Sequence, residues 1–115
     1  MIRFAALILS AAAVARAQPA GPAQPGEAAE IFDRKCDFCH GEDGRGQTKK
    51  GKKLKAPDFT SPKFQKETTD KEILSAIEDG VLKKKMPAFK TKLTADQIQL
   101  LAAYVRGFAG KGAKQ

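Results

Sequence analysis

The sequence predicts an all-α domain, and three observations predict it. Apolar residues recur at helical spacing in separate segments, two of those segments open on capping boxes, and no stretch alternates with period two. The first helix is expected from Glu27. Ala28, Ile31, Phe32, Cys36 and Cys39 fall at i, i+3, i+4, i+8 and i+11 on one face, and Glu27 and Glu30 suit the positive end of the dipole. The glycine- and lysine-rich stretch from Gly41 to Lys55 reads as a loop. Ser61-Pro62 opens a short helical turn, with Pro at its first position. Thr69 and Glu72 form a capping box, Ile73, Leu74 and Ile77 supply a buried face, and Gly80 ends the helix. Thr94 and Gln97 form the second box, with Leu93 and Ile98 in the positions of a hydrophobic staple. Ile98, Leu101, Ala102, Val105 and Phe108 continue that face until Gly107 and Gly110 loosen its end. No internal repeat is present.

At 115 residues, 42% of them hydrophobic, the chain holds one globular domain. Its first part does not belong to that domain. Met1 to Arg3 carry one positive charge, Phe4 to Ala15 are almost purely apolar, and Ala15-Arg16-Ala17 is an A-x-A cleavage site. Residues 1–17 are therefore expected to be a signal peptide. The apolar run of about 12 residues is short of the roughly 18 that span a bilayer, which disfavours a membrane anchor. Residues 18–26 form a Pro/Ala/Gly-rich spacer, residues 27–110 the folded domain, and residues 111–115 a tail expected to be disordered.

Cysteine and histidine usage narrows the chemistry. Two cysteines allow no two-disulfide scaffold, and a single histidine beside them makes a closed four-ligand zinc site a poor fit. All three residues lie in Cys36-Asp37-Phe38-Cys39-His40, a C-x-x-C-H arrangement. On a helical turn, positions i, i+3 and i+4 point the same way, so both thiols and the imidazole converge on one object. A thioredoxin-type pair would need a βαβ context that the pattern lacks, and a disulfide between Cys36 and Cys39 would staple very little chain. The spacing is the attachment signature of a c-type haem, whose two vinyl groups take thioethers and whose iron takes His40 as proximal ligand. A second axial ligand follows by elimination. Met86 is the only methionine beyond the signal peptide. A lone methionine more often fills a core. Met86, however, stands on the Pro-containing loop Lys85-Met86-Pro87-Ala88-Phe89, far from His40 in sequence and off any apolar stripe. A His/Met pair favours Fe(II), raises the potential and leaves no open position for oxygen or peroxide, which points to electron transfer rather than catalysis.

The chain resembles the class I cytochromes c, nearest to the small bacterial monohaem forms, over residues 27–109. The resemblance rests on the run from Ile31 to Gly41, on Ala56-Pro57-Asp58-Phe59, on Met86-Pro87-Ala88-Phe89 and on the run from Leu101 to Arg106. It implies a cytochrome c-like fold, with about four short helices wrapped around one covalently bound haem and terminal helices that cross. Phe32 and Tyr104 match aromatics that pack at the crossing. Pro57 matches the proline whose carbonyl accepts from the proximal imidazole. Ala28 stands where many members carry Gly, and Phe59 where Leu is commoner.

Two basic segments remain. Gly46 to Lys53 nearly spells a phosphate-binding loop, but Lys53 stands where a Ser or Thr must hold magnesium and no strand precedes it. Gly41, Gly44 and Gly46 are better explained by a tight loop passing close to a porphyrin. The net charge is +8, with clusters at Lys49–Lys55 and Lys83–Lys85. Export argues against nucleic acid, so Lys83, Lys84 and Lys85 are expected to steer acidic redox protein partners. The expectation is a non-enzymatic, soluble, monomeric electron carrier of the periplasm with haem c and iron as cofactor. A subunit docked to a periplasmic dehydrogenase or oxidase is the alternative, and Met86 speaks against a haem enzyme with an open axial site. If Cys36 and Cys39 form thioethers, acidified acetone should leave all haem on the matured protein. Free haem in the extract would contradict the attachment.

Overall fold

Helices supply the regular structure of the residues that the computed structural model describes, Gln24 and 26–111. They are α1 (Glu27–Lys35), α2 (Asp37–His40), α3 (Lys49–Leu54), α4 (Pro62–Glu67), α5 (Asp70–Asp79) and α6 (Ala95–Arg106), with a 3-10 turn at Leu82–Lys84. The expected signal peptide, the spacer apart from Gln24 and Gly26, and residues 112–115 lie outside the described residues. The all-α expectation holds. The number of helices differs from the four expected, for two physical reasons.

The first helix breaks at Cys36, whose φ of −117° opens a step between α1 and α2. The second difference is α3, inside the stretch that reads as a loop. Thr48 caps it by accepting from the Gly51 N–H at 2.9 Å, and its hydroxyl donates to the Cys39 carbonyl at 2.9 Å. A Cβ on Gly51 would collide with the Cys39 carbonyl oxygen and lie 2.5 Å from that of Gly46. Glycine thus lets α3 rest directly on the backbone of α2.

The remaining helices start where their caps place them. Ser61 accepts from the Phe64 N–H with Pro62 at the first position of α4. The boxes Thr69/Glu72 and Thr94/Gln97 are both complete. Gln97 also donates to the Glu27 carboxylate at 2.7 Å, which ties the start of α6 to the start of α1.

The core lies where α1 packs on α6 and α6 on α5. Ala28, Ile31 and Phe32 of α1 meet Ile98, Leu101, Ala102 and Val105 of α6, with Ile73 and Ile77 of α5 in the same cluster. Phe32 and Leu101 are its most completely buried large side chains. The Phe32 and Tyr104 rings stand 5.0 Å apart at 48°, and Phe108 meets both. Arg106 fastens the other end of α6. Its guanidinium donates to Asp70 at 2.8 Å, to the Gln65 carbonyl at 2.8 Å and side-chain oxygen at 3.0 Å, and to the Thr68 carbonyl at 2.6 Å. Gln65 in turn donates to the Phe59 and Val105 carbonyls. Arg106→Met leaves these acceptors unpaired and should cost the haem-loaded protein about 2 kcal/mol, read as a lower denaturant midpoint. Arg34→Met, on the exposed face of α1, should stay within about 0.5 kcal/mol. Equal midpoints for the two variants would show that the network contributes nothing.

Candidate haem-binding site

The step at Cys36 shapes the proximal wall. The Cys36 N–H still donates to the Phe32 carbonyl at 2.8 Å, and the Cys36 carbonyl accepts from the His40 N–H at 3.0 Å. Cys36, Cys39 and His40 therefore stand on one turn and line one cleft. Both cysteines are free thiols. Burial, aided by the Asp37 carboxylate, pushes the Cys36 thiol up to about 11. A thiol so held is protonated at neutral pH, unlike a redox-active thiolate.

His40 is held neutral by the same burial, which lowers its pKa from the ordinary value. Its Nδ1 is sealed from solvent and has no hydrogen-bond partner. The bond to the Pro57 carbonyl that the family resemblance implies is not made. Pro57 and Ala56 do line the cleft. Their carbonyl oxygens crowd Gly46 instead, within 3.1 and 2.8 Å of where its Cβ would stand. What covers the imidazole is the Phe59 ring, 4.7 Å away and tilted by 23°.

Met86 enters the same cleft from the segment after α5. The Val81 and Met86 backbones pair across the 3-10 turn through bonds of 3.0 and 3.1 Å, and Lys85 takes a left-handed conformation just before the methionine. Phe89 and Lys90 then donate to the Ile77 and Glu78 carbonyls, which pins the exit of the loop to α5. Gly80 makes this possible. Its φ is +72°, and a Cβ there would lie 2.5 Å from the Met86 carbonyl oxygen and 2.8 Å from the Ala88 nitrogen.

The cleft has about 1100 Å³ of atom-free space, part of it open to solvent, and mainly apolar walls. Two free thiols, a neutral imidazole with a buried unpartnered nitrogen, and a thioether converge on it. That donor set fits a covalently tethered haem. It does not fit a zinc site, and no group of three or more metal-binding side chains occurs among the described residues. Gly41, Gly44 and Gly46 are not on the cleft wall. The close approaches of Gly44 and Gly46 are to the Phe108 ring and the 56–57 backbone, so the expectation that they skirt a porphyrin is corrected. Sequence reading also missed Gly51 and the second duty of Gly80. A glycine inside a lysine run three residues after a threonine was the available signal for Gly51.

Residues 23–105 match the family model described as cytochrome c oxidase, cbb3-type, subunit III. The chain belongs to the small class I c-type cytochromes. It is 37% identical to cytochrome c6 of Leptolyngbya boryana over 83 residues, 72% of this chain and 91% of that protein. Among solved structures it is similar to the KustC0563 c-type cytochrome, at 34% identity and a TM-score of 0.66, covering 71% of this chain and 96% of that one. A tyrosine-to-phenylalanine mutant of the same protein gives 35%, 0.65, 71% and 98%. As a c-type cytochrome the chain carries haem c, covalently bound through Cys36 and Cys39, and serves electron transport.

One outcome is expected of this cytochrome. If Met86 is the second ligand, Gly80→Ala should push back the loop that carries it and weaken the ferric sulfur-to-iron charge-transfer band, and Met86→Ala should abolish the band. A band of native strength in Gly80→Ala would show that the loop tolerates the methyl group.

Proposed function

We propose that this cytochrome is an exported, soluble, monomeric carrier of single electrons between periplasmic redox partners, with His40 and Met86 as the two axial ligands. The observation that carries the reading is the convergence of His40 and Met86 on the cleft that holds both thiols. When bound, the haem iron supplies a one-electron Fe(II)/Fe(III) couple. The protein contributes the imidazole, the thioether and an apolar enclosure, and occupying both axial positions leaves none for a substrate. Export is supported by residues 1–17. Among the described residues, no helix is long and apolar enough to cross a membrane. A second reading, a subunit docked to an oxidase, is favoured by the description of the matching family model.

Acidic redox proteins are the partners this surface fits. Lys83, Lys84 and Lys85 are exposed on the turn that leads to Met86, and Lys84 and Lys85 border the cleft. The three are not equivalent, since the Lys84 ammonium also donates to the Lys55 carbonyl at 3.4 Å. Leu82 beside them is 77% exposed, and Phe38 between the two cysteines 72%.

Absorption spectra of the oxidised and reduced holoprotein, made where haem is attached, test the ligation. Low-spin spectra with the sulfur-to-iron band support it, and carbon monoxide binding to the wild-type ferrous form would overturn it. Co-purification with a stable partner complex would favour the docked subunit over the free carrier. For the basic turn, replacing Lys83, Lys84 and Lys85 with Gln should slow electron exchange with an acidic partner about tenfold at low salt. Spectrum and potential should be unchanged. Stopped-flow rates against ionic strength check this, with the same replacement at Lys49, Lys50 and Lys52 as comparison. Equal slowing by both sets would reduce the effect to overall charge.

A further inference from the structure

The lysines of α3 work against the helix that carries them. Lys49 and Lys50 stand in its first turn, where the dipole disfavours cations, and no acidic residue joins them there. Lys49 lies three and four residues before Lys52 and Lys53, spacings at which like charges repel. A helix of six residues has little stability of its own to set against this. It is held by the Thr48 cap and by the rest of Gly51 on the α2 backbone, and neither contact uses a lysine. Packing does not account for these residues.

Their placement is one-sided. At about 100° per residue, Lys49, Lys50, Lys52 and Lys53 fall within an arc of about 160°, with Gly51 and Leu54 on the other side. Gly51 is buried and Leu54 lines the cleft, so the lysine face is turned away from both α2 and the cleft. Lys49, Lys52 and Lys53 are exposed, as is Lys55, which ends the helix in a left-handed conformation. Among the described residues the ion pairs are Arg45–Asp43 and Arg106–Asp70, so no carboxylate neutralises this face. The sequence from Gly44 to Pro57 contains no acidic residue at all.

Such a face is a poor match for a protein. The centres of protein interfaces are depleted of lysine and built on aromatic residues and arginine. Residues 49–53 hold neither. A strongly hydrated ammonium on a flexible stem suits instead a surface of many mobile, hydrated anionic headgroups. We propose that the lysine face of α3 docks this cytochrome reversibly on an anionic phospholipid bilayer. The contact is peripheral, since this face has no apolar side chain to enter the hydrocarbon. The inference rests on the export reading, which brings the chain beside a bilayer surface, and it adds a membrane-facing side to a soluble carrier.

The test sediments the purified holoprotein with vesicles of equimolar phosphatidylglycerol and phosphatidylcholine, and with vesicles of phosphatidylcholine alone. The anionic vesicles should carry it down at low salt and release it as salt rises through about 0.15 M, and the neutral ones should leave it in solution. Replacing Lys49, Lys52 and Lys53 together by Gln, which keeps helix propensity, should weaken binding by roughly tenfold or more. The same replacement of Lys63, Lys66 and Lys71 removes equal charge from α4 and α5, where Glu67, Asp70 and Glu72 stand among the lysines. It should weaken binding by less than about threefold. No sedimentation of wild type with the anionic vesicles, or equal loss in the two variants, overturns the proposal. Wild type that ignores vesicles, with an α3 variant that exchanges electrons more slowly with an acidic protein, would assign the face to a protein partner. The haem absorption spectrum of each sample reports whether the fold is intact. Failure of the carrier reading is a different result, because it shows in that wild-type spectrum or in retention of the chain in the cytoplasm, not in sedimentation.

Discussion

A helix of four residues leaves almost all of its carbonyls without intrahelical partners, and α2 is such a helix. The fold is organised around meeting that need on the turn that carries Cys36, Cys39 and His40. The Thr48 hydroxyl donates to the Cys39 carbonyl at 2.9 Å, and the Gly46 N–H to the His40 carbonyl at 2.8 Å. The segment after the turn is therefore folded back onto it. The lysine-rich stretch becomes helix α3 because its cap and its glycine are engaged by that backbone, not because of any apolar face of its own. Residues 56–59 are then delivered beside the imidazole.

From His40 the order passes to the terminal helices through rings. His40 stacks on Phe59, Phe59 meets Phe108, and Phe108 meets Phe32 and Tyr104 at the crossing of α1 and α6. The hydrophobic core and the proximal wall are thus one continuous packed body. Arg106 and Gln65 hold the far end of that body by hydrogen bonds to backbone carbonyls, including that of Phe59. The cleft is its complement. Apolar walls facing such a volume are stable when something apolar fills it, since protein interiors tolerate few voids. A covalently tethered haem meets that condition.

The two walls are built by different means. His40 belongs to a short helical turn and is placed by local backbone geometry. Met86 belongs to a loop fixed by three separate constraints, the Val81–Met86 pairing, the close approach at Gly80 and the return of Phe89 and Lys90 to α5. The methionine side is thereby attached to α5, while the histidine side is attached to α1 and α3. Lys84, reaching the Lys55 carbonyl, links the two across the rim.

Much of this was legible in residue order. Each capping box needs only residues three apart, so Thr69/Glu72 and Thr94/Gln97 identify α5 and α6 before any contact is known. The C-x-x-C-H spacing names the haem attachment for the same reason, its chemistry being confined to five adjacent positions. Helix α3, the orientation of the Pro57 carbonyl and the ring that stacks on His40 were not legible. Each depends on a group distant in sequence: the Cys39 carbonyl for Gly51, the Gly46 backbone for Pro57, the His40 ring for Phe59. Local composition carries the donors and the caps, because those act within a turn or two of helix. Which backbone atoms end up close enough to exclude a Cβ, and which ring faces the imidazole, was decided only when distant segments packed together.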